Sequence, residues 1–320
     1  MNGGPNVSGP AAGADSTQAR AGVAFALGAF VFWGLAPLYF KAVVALPPLE
    51  VLAHRVLWSV LLLAALLIAL GRLRAVLLQL SSPGVLPRLL ASTALISMNW
   101  LVFIWAVGQE RVLEISLGYY INPLVNVLLG LLVLRERLSP AAVVAVLLAA
   151  AGVANLAWQT DGLPWVSLVL AVSFGLYGLV RKLTPLGPID GLLMETALVA
   201  PLAIGFLLWT AWTGVGAISG GAIASGDLSL LLLLMAAGPV TAIPLIWYAA
   251  GARRLRYTTI GFLQYLAPTC HFLLAVLLFG EPFDTAQLVT FACIWTAVAV
   301  FTGDSLTRSR RAAAVRGSGS

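Results

Sequence analysis

Apolar runs of about 20 residues, separated by short polar breaks, recur along the whole chain, and nothing else in the sequence restricts the fold as strongly. A bilayer core about 30 Å thick is crossed by ~20 helical residues, so each run is long enough to span it. Charged residues make up 9% of the chain and apolar ones 61%. Soluble domains carry roughly 25% and 45–50%, so lipid is the main solvent here. Barrel strands would alternate apolar and polar residues over segments of ~10, a pattern the sequence lacks. Helices then satisfy every backbone N–H and C=O within the bilayer. The expected spans are 21–43, 49–70, 87–107, 113–134, 140–158, 163–181, 190–212, 228–251, 257–279 and 284–304. The fold class is an all-α membrane protein with ten transmembrane helices.

Residues 1–20, rich in Gly, Ala, Pro, Ser and Asn, read as a disordered tail without signal-peptide features, and 305–320 as a basic tail. Cys270 and Cys293 fall inside apolar runs, so no disulfide framework is indicated. No metal-ligand spacing or cofactor motif is present. The net charge of +6 does not point to nucleic acid, because the basic residues sit in loops rather than in an aromatic-interleaved stripe. They read as topology signals. Alternate connections hold Arg72, Arg74 and Arg88, then Arg135 and Arg137, then Arg181 and Lys182, then Arg253, Arg254 and Arg256, with Arg20, Arg308, Arg310, Arg311 and Arg316 in the tails. The opposite connections hold only Lys41 and Arg111. Both termini are therefore expected in the cytoplasm of a multi-pass inner-membrane protein. Trp158, Trp165, Trp209 and Trp212 would lie near the outer interface, where indole rings settle.

The chain is also a repeat. A shift of 145 residues lays Arg111 on Arg256, Tyr120 on Tyr265, Pro123 on Pro268 and Glu136 on Glu281. A shift of 141 lays Trp33-Gly34 on Phe174-Gly175 and Lys41 on Lys182, and a shift of 140 lays Pro48 on Pro188 and Glu50 on Asp190. Two five-helix halves, 21–158 and 163–304, follow. An odd number of spans per half turns the second copy upside-down, the architecture of many secondary transporters, whose solute site lies near the midplane.

Polar residues at bilayer depth are expensive, so their placement is informative. Tyr119, Asn122 and Asn126 share one face of the fourth span beside the kink at Pro123, and Gln264, Pro268 and His271 share one in the ninth, with Tyr265 alongside. The 145 shift matches Gln264 to Tyr119 and His271 to Asn126, so the two stripes are expected to line one pathway. Interhelical hydrogen bonding is the plainer alternative. His54 and Arg55 lie in the second span and Glu195 in the seventh, and the 140 shift pairs Arg55 with Glu195. Arg55 is expected to anchor an anionic or carbonyl group, with Glu195 a counter-charge or proton carrier; snorkelling to headgroups is the alternative. His54 is a candidate proton sensor or a hydrogen-bonded structural residue. Trp33, Asn99 and Trp100 are candidates for the wall of a solute pocket. Gly28, Gly34, Gly118, Gly175, Gly178 and Gly261 let helices approach closely.

Several segments carry a resemblance: Phe32-Trp33-Gly34-Leu35-Ala36-Pro37, His54-Arg55-Val56-Leu57-Trp58-Ser59, Asn99-Trp100, Ser116-Leu117-Gly118-Tyr119-Tyr120-Ile121-Asn122-Pro123-Leu124-Val125-Asn126, Tyr177-Gly178-Leu179-Val180-Arg181-Lys182, and Gly261-Phe262-Leu263-Gln264-Tyr265-Leu266-Ala267-Pro268-Thr269. Over residues 21–304 they resemble the EamA repeats of the drug/metabolite transporter superfamily, and within it the RarD subgroup. The resemblance implies a permease. That subgroup is named for chloramphenicol sensitivity or resistance, and other superfamily members export amino acids or metabolites or take up sugars and nucleotide sugars.

The expected function is a secondary transporter of a small polar or amphipathic metabolite or drug, with protons as a candidate coupling ion and no nucleotide-binding motif for ATP coupling. A non-transporting membrane sensor or accessory subunit is a second reading. An intramembrane enzyme is a third, disfavoured because the aspartates sit in tails, loops or span ends and Ser219-Gly220-Gly221 lies in a loop far from His271.

Overall fold

The structure, a computed structural model, describes residues 12–133, 139–159, 164–214, 228–252, 254–255 and 263–317. Arg135, Glu136, Arg137, Ser219-Gly220-Gly221, Arg253, Arg256, Gly261 and Phe262, invoked above, lie outside the described residues. The described chain is helical, in the order α1 Ala12–Gly34, α2 Ala36–Ala42, α3 Pro48–Ala69, α4 Leu73–Leu78, α5 Val85–Gly108, α6 Val112–Leu132, α7 Pro140–Gln159, α8 Trp165–Lys182, α9 Pro188–Thr213, α10 Leu228–Ala252, α11 Leu266–Leu273 and α12 Thr285–Gly317. Nine of the described stretches are long and apolar enough to cross a membrane, the first being Arg20–Ala42 across α1 and α2. The tenth is the shorter apolar helix Leu266–Leu278, and the first part of its expected span, 257–262, lies outside the described residues. Two boundaries shift outward. Helix α1 begins at Ala12, inside the tail expected to be disordered, and α12 runs on through the basic tail to Gly317. Both extensions contain Ala and Arg, which lose little entropy in a helix.

Both halves start their second helix alike. Helices α3 and α9 each carry Pro at the first turn, where a missing N–H removes nothing, and an acid, Glu50 or Asp190, in the same turn against the positive end of the dipole. Exchanging each helix with its counterpart maps the packing onto itself. The first span packs on α10 as α8 packs on α5; α6 packs on α8 as α11 packs on α1; α3 packs on α10 as α9 packs on α5. Three pairs, α3 with α9, α6 with α11 and α7 with α12, join a helix to its own counterpart. These three run antiparallel. Arg72, just past the end of α3, reaches Asp190 at the start of α9 at 3.0 Å. Val112 at the start of α6 meets Glu281 beyond α11. Ser139 before α7 reaches Asp304 at 2.7 Å, while Asn155 near the other end of α7 reaches Ala286 and Thr290 early in α12. A helix lies antiparallel to its own copy only when the axis relating the halves lies across the helices, in the membrane plane, as an inverted repeat requires.

One end of the bundle gathers Arg88 against Leu183, Arg72 against Asp190, and Arg254 against Gly22. The other gathers Lys41 with Glu110, Arg111 with Glu114, and Trp105 against Trp165. Trp158 and Trp212, at 92% and 89% exposure, stand at that second end, where they can meet headgroups rather than protein.

The helix seams rely on small residues and on side chains that donate to backbone carbonyls. A Cβ on Gly118 would lie 2.8 Å from the Ser167 carbonyl oxygen and 3.1 Å from its Cα, so only glycine lets α6 approach α8 this closely. Gly118→Val is expected to separate the two helices and lose about 1–3 kcal/mol. Gly178→Ala, with nothing within 4 Å of the added carbon, should unfold like the parent. Thermal unfolding in detergent compares the two, and equal loss in both would remove the close-approach argument.

Candidate solute-binding site

Arg55 lies roughly 10 Å into its span, counted from Pro48 at ~1.5 Å per residue. Its Nε donates to Thr241 Oγ1 at 3.0 Å, and Thr241 can accept because its own hydroxyl proton goes to the Ala237 carbonyl at 2.9 Å. The guanidinium carbon sits 4.1 Å from the centre of the Trp100 ring and 5.6 Å from that of Phe40, a cation between two aromatic faces. The Tyr39 and Tyr119 hydroxyls are its other polar neighbours. Among the described ion pairs, Lys41, Arg72, Arg111 and Arg181 each face a carboxylate, and Arg55 faces none.

An aromatic and amide wall continues from this cation. Tyr119 donates to Asn99 Oδ1 at 3.2 Å, and Asn99 is oriented by its own donations to Leu170 O and Ser173 Oγ on α8. The His271 ring lies 5.8 Å from both Tyr119 and Phe103. Its Nε2 meets the Trp33 carbonyl at 3.1 Å. That carbonyl is free because the residue four positions on is Pro37, which has no N–H to close the helical bond. His271 Nδ1 is buried without a partner. Arg55, Trp100, Asn99, Tyr119, His271 and the Trp33 backbone are thus brought together.

Other candidates lie apart from this group. Asn122 donates to the Ala171 carbonyl and Asn126 to Asn122, so both hold the seam between α6 and α8. Pro123 lies within α6, which continues through it. Tyr265 stacks on its own repeat mate Tyr120, rings 6.2 Å apart and 18° from parallel, while Pro268 accepts from Ser116. Gln264 sits half-buried in the turn before α11. His54 is buried with neither ring nitrogen paired, on the face of α3 that also carries Glu50 and Trp58.

Glu195 pairs with a residue that hydropathy assigns to topology. Arg181 Nε lies 3.6 Å from its Oε1, Ser92 donates to Oε1 at 2.7 Å, and Tyr177 to Oε2 at 3.2 Å. The Arg181 guanidinium packs flat on Gly191, where any Cβ would collide with it. Trp100 stands between this cluster and Arg55, since it borders a small void shared with Glu195.

At the tryptophan end, Glu281 closes the bundle. A π-type turn over Leu274–Leu278 and Gly280 at φ +64° fold the chain back, so that the Glu281 carboxylate accepts from Val112 N at 2.7 Å and Leu113 N at 2.8 Å. It thereby caps α6, which has no side-chain cap from its own Arg111. Burial pushes the Glu281 carboxyl above its ordinary range, against the pull of those two N–H groups and of Lys41. A cavity of about 80 Å³ lies nearby, between Phe40, Val51, Ile104 and Gln109. The doubled Tyr-x-x-Pro…Glu pattern was the sequence signal for Glu281, and Tyr177 stood in a segment of the family resemblance; Tyr39 and Thr241 carried none.

Residues 20–158 match the EamA-like transporter family. An uncharacterized transporter of Pseudomonas aeruginosa is 47% identical over 295 residues, 91% of this chain and 96% of its own. Protein RarD of Salmonella typhimurium is 44% identical over 297 residues, 93% of this chain and 99% of its own. A crystal structure only 21% identical has the same fold, with a TM-score of 0.56 over 88% of this chain and 96% of that one.

Proposed function

Because the chain belongs to the EamA-like transporter family, among its RarD proteins, we propose that it carries a small polar or amphipathic solute across the inner membrane by alternating access. The observation that supports this reading is the antiparallel packing of helices on their own repeat counterparts around a half-buried, carboxylate-free Arg55. Such a bundle offers two related packings of the same parts, one open to each side, with a charged site between them. The gathering of Arg20, Arg72, Arg74, Arg88, Arg181, Lys182 and Arg254 at or near one end supports cytoplasmic termini.

Counterflow in proteoliposomes tests the reading: labelled solute should accumulate only when unlabelled solute is trapped inside. Binding without counterflow would replace the carrier by a sensor or accessory subunit. A proton fits as coupling ion at Glu195, which faces Arg181 and Tyr177 of α8 and Ser92 of α5. Protonation there would release Arg181 from its partner. Glu195→Gln should flatten the pH dependence of exchange, and an unchanged pH profile with exchange intact would remove Glu195 from coupling.

A further inference from the structure

Charge accounting within the bundle narrows the solute. A basic group at bilayer depth is expensive unless something compensates it. Arg181 has Glu195 and Arg72 has Asp190. Arg55 has one hydrogen bond to a neutral hydroxyl and two aromatic faces. Its repeat mate is Glu195, and that carboxylate is already engaged by Arg181. Among the described residues no carboxylate faces Arg55, so the site carries a positive charge without a counter-charge there, on a residue that is only half-buried.

The geometry also sets how that charge can be met. With Nε held by Thr241 and the guanidinium carbon 4.1 Å from the centre of the Trp100 ring, the group is held at two points, and its remaining N–H groups form the planar fork that matches a carboxylate. Phe40, Phe103 and Tyr119 contact one another ring to ring beside it, and Phe40 and Trp100 both lie against the guanidinium. A flat apolar body is what such a surface takes up.

We propose that the solute is an organic monoanion with a flat apolar body, its carboxylate held by Arg55 between Trp100 and Phe40. The proposal rests on the transporter reading only for the word solute; as a binding site it stands on the geometry. Matched probes separate the two. Indole-3-acetate, indole-3-acetamide and tryptamine, with acetate, chloride and sulfate as small-ion controls, are titrated against purified protein by isothermal calorimetry and thermal shift. The acid is expected to bind at least about tenfold more tightly than the amide, and the amine not at all. Arg55→Gln should erase the acid–amide difference, and Thr241→Val should reduce it if the first variant fails to fold. Equal or absent responses to acid and amide, a difference that survives both variants, or a response that acetate or chloride alone reproduces would each overturn the proposal. Counterflow with the bound probe then tests transport separately: an exchanged amide defeats the anion assignment and keeps the carrier, whereas a bound acid that is never exchanged does the reverse.

Discussion

Arg181→Ala should lower the apparent unfolding midpoint of the purified protein strongly, and adding Glu195→Gln should recover most of the loss. Removing one member of a buried pair leaves an uncompensated charge, which costs about 3–5 kcal/mol. The side chains of Arg181 and Glu195 are 14% and 1% exposed, so neither is rescued by water. Glutamine at 195 keeps one acceptor oxygen for Ser92, can donate its NH2 to the Tyr177 hydroxyl oxygen, and takes away the orphan charge. Gly191→Leu reaches the same end by another route, because its side chain would occupy the place of the guanidinium. It too should be partly relieved by Glu195→Gln. Thermal unfolding of the single and double variants measures the coupling directly, and simple additivity would mean that Arg181 and Glu195 do not interact.

The second large effect belongs to Glu281. Replacing it by alanine leaves Val112 N and Leu113 N without their acceptor, in residues that are 0% and 4% exposed. Each buried orphan costs about 1–3 kcal/mol, so the α6 terminus should fray before the rest of the bundle. Glu281→Gln retains one oxygen and should recover part of that loss. Hydrogen exchange over residues 112–116 reads the effect locally: faster exchange there in Glu281→Ala, with α7 and α12 unaltered, is the expected pattern. Uniform acceleration would make Glu281 a general stability residue rather than a cap.

Hydropathy made most of the spans legible because lipid imposes one rule on every crossing helix. The repeat was legible because chemically distinctive residues, Tyr120, Pro123 and Lys41 among them, recur in the same order at shifts of 140 to 145 residues. Neighbours were not. A polar stripe tells which residues share a face and leaves open what that face meets, so Tyr119 turning toward Arg55 and Asn122 turning toward α8 read alike in the sequence. Arg181 reads as an orientation signal because it counts with Lys182 among the basic residues of a connection, and the structure puts it in the last turn of its helix. Its length lets it reach back to Glu195, and no window-averaged quantity registers such a reach. The capping role of Glu281 depended on a widened turn and on the left-handed Gly280, features set by packing rather than by periodicity.

The Tyr120–Tyr265 stack has a thermodynamic meaning of its own. Equivalent residues meeting face to face lie on the axis itself, so they keep the same neighbour whichever half plays which part. They cannot favour one orientation over the other. For a carrier with identical halves the two orientations would be degenerate, and a resting preference can come only from positions where the copies have diverged. Tyr119 against Gln264, Asn126 against His271 and Arg55 against Glu195 are such positions. Each adds a signed contribution, and a net bias of ~1.4 kcal/mol already makes one orientation tenfold more populated. On the proposed alternating-access reading, the direction in which the empty protein prefers to face is encoded in the drift between its two halves.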